Sequence, residues 1–314
     1  MINHQQVVCG NSFCNRRCLL LLPMKPIAES ELILNNDGSI YHLSLFPDDI
    51  ADTIITVGDP ERVAHVSRYF DHIELKKSKR EFVTHTGILG GKRITVLSTG
   101  IGTDNIDIVL NELDTLVNID LKTRLLKQEL QKLNIIRIGT SGAVQADIAV
   151  DSLLVSSAAF GMDALMHYYQ YQLTEAEKQL LDAFKASLPV NSGLTPYIAS
   201  ADTSLIDQLA ADLPKGITNT APGFYAPQGR QIRALSTYTD LMNIIQQFNL
   251  NGQRITNLEM ETAGIYGLSA TLGHRAISFN VILANRATHT FSKQPEKIMD
   301  HYIKQILSRI ADIL

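Results

Sequence analysis

Between Phe224 and Arg230 the sequence Phe-Tyr-Ala-Pro-Gln-Gly-Arg sets an amide, Gln228, and a guanidinium, Arg230, two residues apart beside two aromatic rings. An amide offers a donor and an acceptor together, and a guanidinium adds donors in a fixed fork. With a ring to stack on, such a pair can read the edge of a flat heterocycle. A pyrimidine, with an N3–H between two carbonyls, fits it. Pro227 and Gly229 equally suit a polar surface loop, and the segment alone leaves that reading open.

Other segments carry anion and sugar chemistry. Gly58-Asp59-Pro60-Glu61-Arg62 falls where an apolar run ends and a helix should start. Backbone N–H groups and the positive helix end suit an anion there, and Arg62 can fold back onto an oxyanion. An ordinary helix start with an exposed arginine is the alternative. In Ile136-Arg137-Ile138-Gly139-Thr140-Ser141-Gly142, Arg137 lies inside an apolar strand and needs an anion. Two hydroxyls and two glycines follow it, a set that suits inorganic phosphate. A buried Arg–Glu pair would also satisfy it. Asn257-Leu-Glu259-Met260-Glu261-Thr262 places two carboxylates at a helix start. They could cap the helix or accept from the cis-diol of a ribose, with Met260 against the sugar face. Ser98-Thr99-Gly100-Ile101-Gly102-Thr103-Asp104 is half a dinucleotide fingerprint. Asn105 stands where the third glycine belongs, and Asp104 would repel a pyrophosphate.

The elements that must position these residues alternate in type. Thr53–Val57 reads as a buried strand, with Asp59 and Pro60 opening a helix. Glu81–Thr86 and Lys92–Thr99 read as strands joined at Gly90-Gly91. From Asp104, Ile106, Val109, Leu110, Leu113 and Leu116 recur at helical spacing, and Leu121, Leu125 and Leu126 suggest a restart after a break near Asn118–Asp120. Asn134–Gly139, Ser152–Ala158, Thr195–Ala201 and Ala276–Leu283 are further strands. Arg254–Leu258 runs into a helix expected near Glu259. A last helix carries Ile298, Tyr302, Ile306, Leu307 and Ile310 on one stripe. The expectation is an α/β fold: one layered domain, from about Asn35 to Leu314, with a central mixed, twisted sheet flanked by helices.

Composition sets the bounds. The 314 residues are 45% hydrophobic and 19% charged, as in ordinary globular proteins, and the net charge of −4 argues against nucleic acid as a partner. The three cysteines, Cys9, Cys14 and Cys18, all precede the body of the chain, so no disulfide framework can hold it, and a reducing, cytoplasmic setting is expected. Residues 1–23 read as an unstructured extension, with Met24 as the working start; Leu19–Leu22 is too short for a signal core. No run is long enough to span a membrane.

Together the motifs resemble the nucleoside phosphorylase family, and within it the uridine branch. The matching pieces are His42 in Tyr-His-Leu, Gly-Asp-Pro-Glu-Arg-Val at 58–63, Arg80-Glu-Phe, Ser-Thr-Gly-Ile-Gly at 98–102, Arg-Ile-Gly-Thr-Ser-Gly at 137–142, Phe-Tyr-x-x-Gln-x-Arg at 224–230 and Glu-Met-Glu at 259–261. They occur in the family's order between Ile40 and Arg286. The resemblance implies reversible phosphorolysis of uridine to uracil and ribose 1-phosphate, with phosphate as co-substrate and no cofactor. Gly58, Arg62, Arg137 and Thr140 would bind phosphate, with Arg80 reaching in from a neighbouring subunit. Phe224, Gln228 and Arg230 would hold the base. Met260 and Glu261 would hold the ribose, and His42 of a partner copy would approach the 5′-hydroxyl. Sites shared between subunits imply a homo-oligomer, built of dimers and ring-shaped as a hexamer. The family's monovalent-cation (K+) site would map to Glu81, the Ile101 backbone and Asn105, where a serine is more usual. A purine-type acid would fall near Asn285, which favours a pyrimidine. The rival readings are a nucleosidase, which needs no arginine cluster, a purine nucleoside phosphorylase, and a nucleoside-binding protein without catalysis.

Overall fold

The structure, a computed structural model, describes residues 25–313. The cysteines and the extension expected over residues 1–23 lie outside the described residues.

The apolar run at Thr53 makes β1 (Thr53–Val57), which Gly58 ends. α1 (Pro60–Ser67) starts at once, its first turn capped by the Asp59 carboxylate, which accepts from the Glu61 N–H at 2.9 Å. A meander follows: β2 (His72–Lys79), β3 (Phe82–Leu89) and β4 (Lys92–Ser98). Gly90 and Gly91, with φ of 57° and 77°, turn β3 into β4. α2 (Thr103–Asn118) buries Ile106, Val109, Leu110, Leu113 and Leu116, as their spacing requires. No helix restarts after it. β5 (Ile119–Asp120) and β6 (Leu125–Leu126) form a small hairpin instead. The Asp120 carboxylate accepts from the N–H groups of Lys122 and Thr123 at 2.9 and 2.7 Å, which turns the chain before the leucines can continue a helix.

β7 (Asn134–Ala143) and β8 (Leu153–Gly161) are long and buried. Then come α3 (Glu175–Ser187), β9 (Tyr197–Ser200), α4 (Thr203–Leu209), β10 (Lys215–Thr220), α5 (Leu241–Gln247), β11 (Asn249–Leu250) and β12 (Gln253–Glu259). α6 (Thr262–Leu272), β13 (Arg275–Asn285), β14 (Thr290–Phe291) and α7 (Pro295–Ile313) complete the chain.

The main sheet runs β11-β12-β10-β8-β13-β7-β1-β4-β3-β2, mixing parallel and antiparallel neighbours. β12 turns back to pair with β7, Asn257 opposite Ala143 and Leu258 opposite Gly142. That pairing closes a ring of five strands, β7–β12–β10–β8–β13, and a bulge between Ile282 and Ala284 bends β13 to fit it. β1, β4, β3 and β2 remain as an open wing. On one face, α2 and α6 pack Leu110, Leu113, Ile265 and Leu268 against the sheet. On the other, α1, α4 and α7 contribute Val63, Leu205, Ile303 and Ile306. α3 and α5 cover the outside of the ring, where Phe160, Phe184 and Phe248 meet. This is the mixed α/β architecture expected, and the helices leave the carboxyl ends of β1, β4 and β7 side by side.

Candidate active site

Gly58 ends β1 beside Gly100 at the end of β4. A Cβ added to Gly58 would lie 3.4 Å from the Gly100 carbonyl oxygen, an ordinary contact distance, so the two strand ends lie side by side. Arg62, in the first turn of α1, is half-buried, and its guanidinium makes no hydrogen bond or ion pair to the described residues. Burial pushes it below its ordinary value and nearby Arg137 adds to this, while Asp59 and Glu261 oppose. A half-buried cation without a partner is a ready anion ligand.

Arg137 is buried on β7 and folds over Gly139, two residues on and on the same face of the strand. A Cβ on Gly139 would come within 2.2 Å of the guanidinium. Nη2 of Arg137 donates to Glu261 at 2.7 Å and lies 3.1 Å from Glu259, while Nη1 donates to Asn280 Oδ1 at 3.1 Å. Burial works against the charge on Arg137, but the two carboxylates outweigh it and hold the guanidinium above its ordinary value. The anion this arginine requires is therefore present within the chain.

The two glutamates have separate jobs. Glu259 ends β12 and caps α6: it accepts from the N–H groups of Glu261 and Thr262 at 2.9 and 2.8 Å, and from Thr220 Oγ1 at 2.5 Å. The helix accordingly begins at Thr262 and not near Glu259. Glu261 faces outward from that cap. Its Oε1 accepts from the Gly102 N–H at 2.9 Å and its Oε2 from Arg137. One guanidinium between two buried carboxylates leaves an excess of negative charge. Burial pushes the Glu261 carboxyl up, Arg137 opposes and Glu259 adds to it. Met260 lies half-buried between them, and Thr140, half-buried beside Gly139, has a hydroxyl without a partner among the described residues. Gly58, Gly102, Arg62, Arg137 and Glu261 thus form one cluster.

The segment expected to hold a base is built differently. It leaves β10 where the Ala221 N–H donates to the Glu259 carbonyl at 2.8 Å, which ties the loop to the glutamate end of the cluster. Ala226–Gln228 forms one 3-10 turn, and Gly229 follows with φ 68°. Its positive φ and the nearness of Met242 Cγ, 2.1 Å from an added Cβ, both require glycine. Arg230 folds back over the loop. Nη1 donates to Gln228 Oε1 at 2.6 Å and to the Phe224 carbonyl at 2.7 Å, and Cζ lies 3.8 Å from the centre of the Phe224 ring. With the amide oxygen taken by a group that can only donate, Gln228 Nε2 is left to donate. Phe224 and Tyr225 are exposed, while Gln228 is buried. Arg286, which the sequence did not single out, braces the loop from just after β13 by donating to the Gln228 and Gly229 carbonyls at 3.1 and 3.3 Å. Asn285, where a purine-type acid would stand, has its amide fully used. Nδ2 donates to the Gln145 and Ile148 carbonyls, and Oδ1 accepts from the Ala287 and Thr288 N–H groups.

Two sequence-derived positions, Arg80 and His42, stand apart from this cluster. Arg80 is exposed in the β2–β3 turn at φ 55°, 5.8 Å from the Tyr41 ring. His42 is anchored in its own chain, Nδ1 2.6 Å from Glu112 Oε1, with its backbone N–H on the same carboxylate. Glu81, Asn105 and the turn before Ile101 do gather, since a Cβ on Gly100 would lie 2.3 Å from Asn105 Nδ2 and 3.2 Å from Glu81 Cγ. A recess of about 430 Å³ lined by Ser152, Lys215, Arg254 and Thr256 lies at the amino ends of β8, β10 and β12, away from Arg62 and Glu261.

Arginines, glycine-lined strand ends and a shielded carboxylate on a mixed sheet with a closed ring define an α/β protein equipped to hold an anion beside a polar ligand. The chain fits the family described as "Phosphorylase superfamily" over residues 52–312, and it belongs to that family. A uridine phosphorylase of Thermococcus kodakarensis is 30% identical over 263 residues, spanning 83% of each chain. A DeoD-type purine nucleoside phosphorylase of Hahella chejuensis is 27% identical over 238 residues, 71% of this chain and 92% of its own. Among solved structures, a Trypanosoma brucei nucleoside phosphorylase described as showing uridine phosphorylase activity superposes with a TM-score of 0.81 at 28% identity, covering 90% of this chain and 100% of that one. No helix among the described residues is long and apolar enough to cross a membrane.

Proposed function

We propose that the protein catalyses reversible phosphorolysis of uridine, giving uracil and ribose 1-phosphate. The observation that carries the choice of base is the Arg230–Gln228 contact at 2.6 Å on a loop that also presents Phe224. An amide and a guanidinium held together in this way can serve one ring edge. Asn285 supports the same choice, because its amide is spent within the chain and it stands where the purine branch would carry an acid.

In this reading phosphate binds at Gly58, Arg62, Arg137 and Thr140, and takes over part of the Arg137 guanidinium from Glu261. Glu261 then accepts from the ribose hydroxyls, with Met260 against the sugar. The C1′–N1 bond lengthens first and the ribose gains positive charge, which phosphate stabilises. A phosphate oxygen bonds C1′ as the N1 electron pair leaves and spreads to O2 and O4. Gln228 and Arg230 donate to those oxygens, and donors aimed at developing charge contribute on the order of 3 kcal/mol each. Holding phosphate in line supplies the proximity term. Arg80 and His42, both away from the cluster in one chain, complete the site from a second copy, in a dimer unit of a hexameric homo-oligomer. The oxygens of Glu81, the Ile101 carbonyl and Asn105 suit a monovalent cation such as K+. Cytoplasmic pyrimidine salvage is the setting this activity fits.

The test is a spectrophotometric screen of nucleosides with and without phosphate. Uridine should be cleaved only when phosphate is present. Equal uracil release in both conditions identifies a nucleosidase, faster cleavage of inosine a purine enzyme, and binding without turnover a nucleoside-binding protein.

A further inference from the structure

The closed ring has a polar interior that nothing above uses. Asn280 sits in the apolar strand β13, fully buried, and its Oδ1 accepts from Arg137 Nη1 at 3.1 Å. An arginine can only donate, so this contact fixes which way the Asn280 amide points. Nδ2 then donates to Ser156 Oγ at 2.8 Å. Ser156 Oγ lies 2.5 Å from Thr218 Oγ1, whose own proton goes to Asn257 Oδ1 at 3.0 Å. Ser156 must therefore be the donor to Thr218. Asn257 Nδ2 donates to Ser141 Oγ at 2.7 Å, and Ser141 donates to the Leu258 carbonyl at 2.7 Å.

Every bond in this series points the same way, from Arg137 to the residue before the Glu259 cap. It crosses all five strands of the ring: β7, β13, β8, β10, β12 and back to β7. Each hydroxyl in the series accepts one bond and donates the next, and a chain with one donor direction polarises its members cooperatively. A guanidinium held only at Nη2 by two carboxylates could swing about that edge. Asn280 at Nη1, with Ser278 Oγ at 3.4 Å, removes this freedom.

We propose that Asn280 is a positioning residue for Arg137, and that the Ser156–Thr218–Asn257–Ser141 series behind it holds the guanidinium in the orientation that receives phosphate. The proposal rests on the phosphorylase reading for its ligand, but the ordering of Arg137 can be read without turnover. The key variant is Thr218→Val, which removes one hydroxyl three bonds from Arg137 and touches no substrate group. Asn280→Leu removes the first link, and Thr218→Ser keeps the hydroxyl.

In steady-state assays, Thr218→Val should raise KM for inorganic phosphate about fivefold to tenfold, the size of one lost hydrogen bond. Asn280→Leu should do at least as much. KM for uridine and kcat should stay within about twofold, and Thr218→Ser should restore phosphate KM to near the native value. Nitrogen-15 NMR supplies the second measurement on the ligand-free protein. Arg137 should show separate, slowly rotating Nη signals in the native protein, assigned by their loss in Arg137→Lys, and averaged signals in Thr218→Val and Asn280→Leu. Unchanged phosphate KM in both folded variants overturns the proposal, as do Arg137 signals that do not respond to Thr218→Val. A native protein that cleaves no nucleoside with phosphate, yet shows the NMR change, sinks the functional reading and leaves the positioning of Arg137 standing.

Discussion

The two halves of the proposed site, one for anion and sugar and one for the base, are built on opposite principles. The first is carried by strand ends and the start of α1, and its buried charges are already paired: Arg137 holds Glu261 at 2.7 Å before any substrate arrives, while Arg62 alone is left without a partner among the described residues. The second is carried by one loop, keeps Phe224 and Tyr225 in solvent, and is organised by contacts among its own residues. A buried charge must be satisfied in the empty protein, so the first half cannot be changed without touching stability. A half-exposed loop carries no such burden and is free to vary.

The largest expected effect breaks the buried half. Arg137→Ala leaves Glu259 and Glu261 without their cation, and removing one partner of a buried pair costs about 3–5 kcal/mol. Urea unfolding should show that loss, and the phosphate dependence of any remaining activity should vanish. Native-like stability with intact phosphate KM would show that the ion pair is no part of the site. Arg230→Ala is next. It should lower kcat/KM for uridine about 10²-fold, as loss of a donor to developing charge does. Phosphate affinity and unfolding midpoint should stay nearly native. If the two variants lose stability alike, the contrast between the halves is wrong.

That contrast also governs what could be read in the sequence. Local devices were legible: the Asp59-Pro60 helix start, the Gly90-Gly91 turn and the leucine stripe of α2 each act within a few residues. The Gln228–Arg230 pair was legible for the same reason. The hairpin at 119–126 was misread as helix, because leucine spacing outweighed one aspartate that turns the chain. β2 is not legible, since His-Ile-Glu-Leu-Lys-Lys-Ser-Lys has the charged look of a loop; its lysines suit the exposed edge of the sheet. That Arg137 needs an anion follows from its apolar neighbours. Which anion does not, because Glu261 is 124 residues away and only the β7–β12 pairing brings it near. The two acids at 259 and 261 look equivalent in the sequence, and only the geometry of α6 separates the cap from the carboxylate that meets Arg137 and Gly102. Asn280 did leave a trace, as a polar residue inside the run Ala276–Leu283.

A smaller lesion sharpens the comparison from within the buried half. In Gly139→Ala the new methyl would lie 2.2 Å from the Arg137 guanidinium, which must then move. Overpacking of this kind costs about 1–3 kcal/mol. Phosphate KM should rise while uridine KM holds, and Gly229→Ala should give the reverse, because its methyl would strike Met242 under the base loop. Parallel losses in both variants for both substrates would show one cooperative pocket in place of two halves.

The smallest effect is a shift along the pH axis. Burial raises the Glu261 carboxyl above its ordinary range, with Arg137 opposing. In the proposed mechanism Glu261 must be ionised to accept from the ribose hydroxyls, so kcat/KM for uridine should fall on acidification at a higher pH than an ordinary carboxylate, at about 4.3, would give. For folding the sign reverses. The native state holds this proton more tightly than the unfolded chain does, so ionising Glu261 lowers stability as pH rises from the unfolded value through the raised folded value. Glu261→Gln removes that titration. Its residual activity should lose the acidic limb, and its unfolding free energy should vary less with pH across the same window. An acidic limb that stays in place in Glu261→Gln would assign the titration to another group and would leave the shielded carboxylate without a part in binding the sugar.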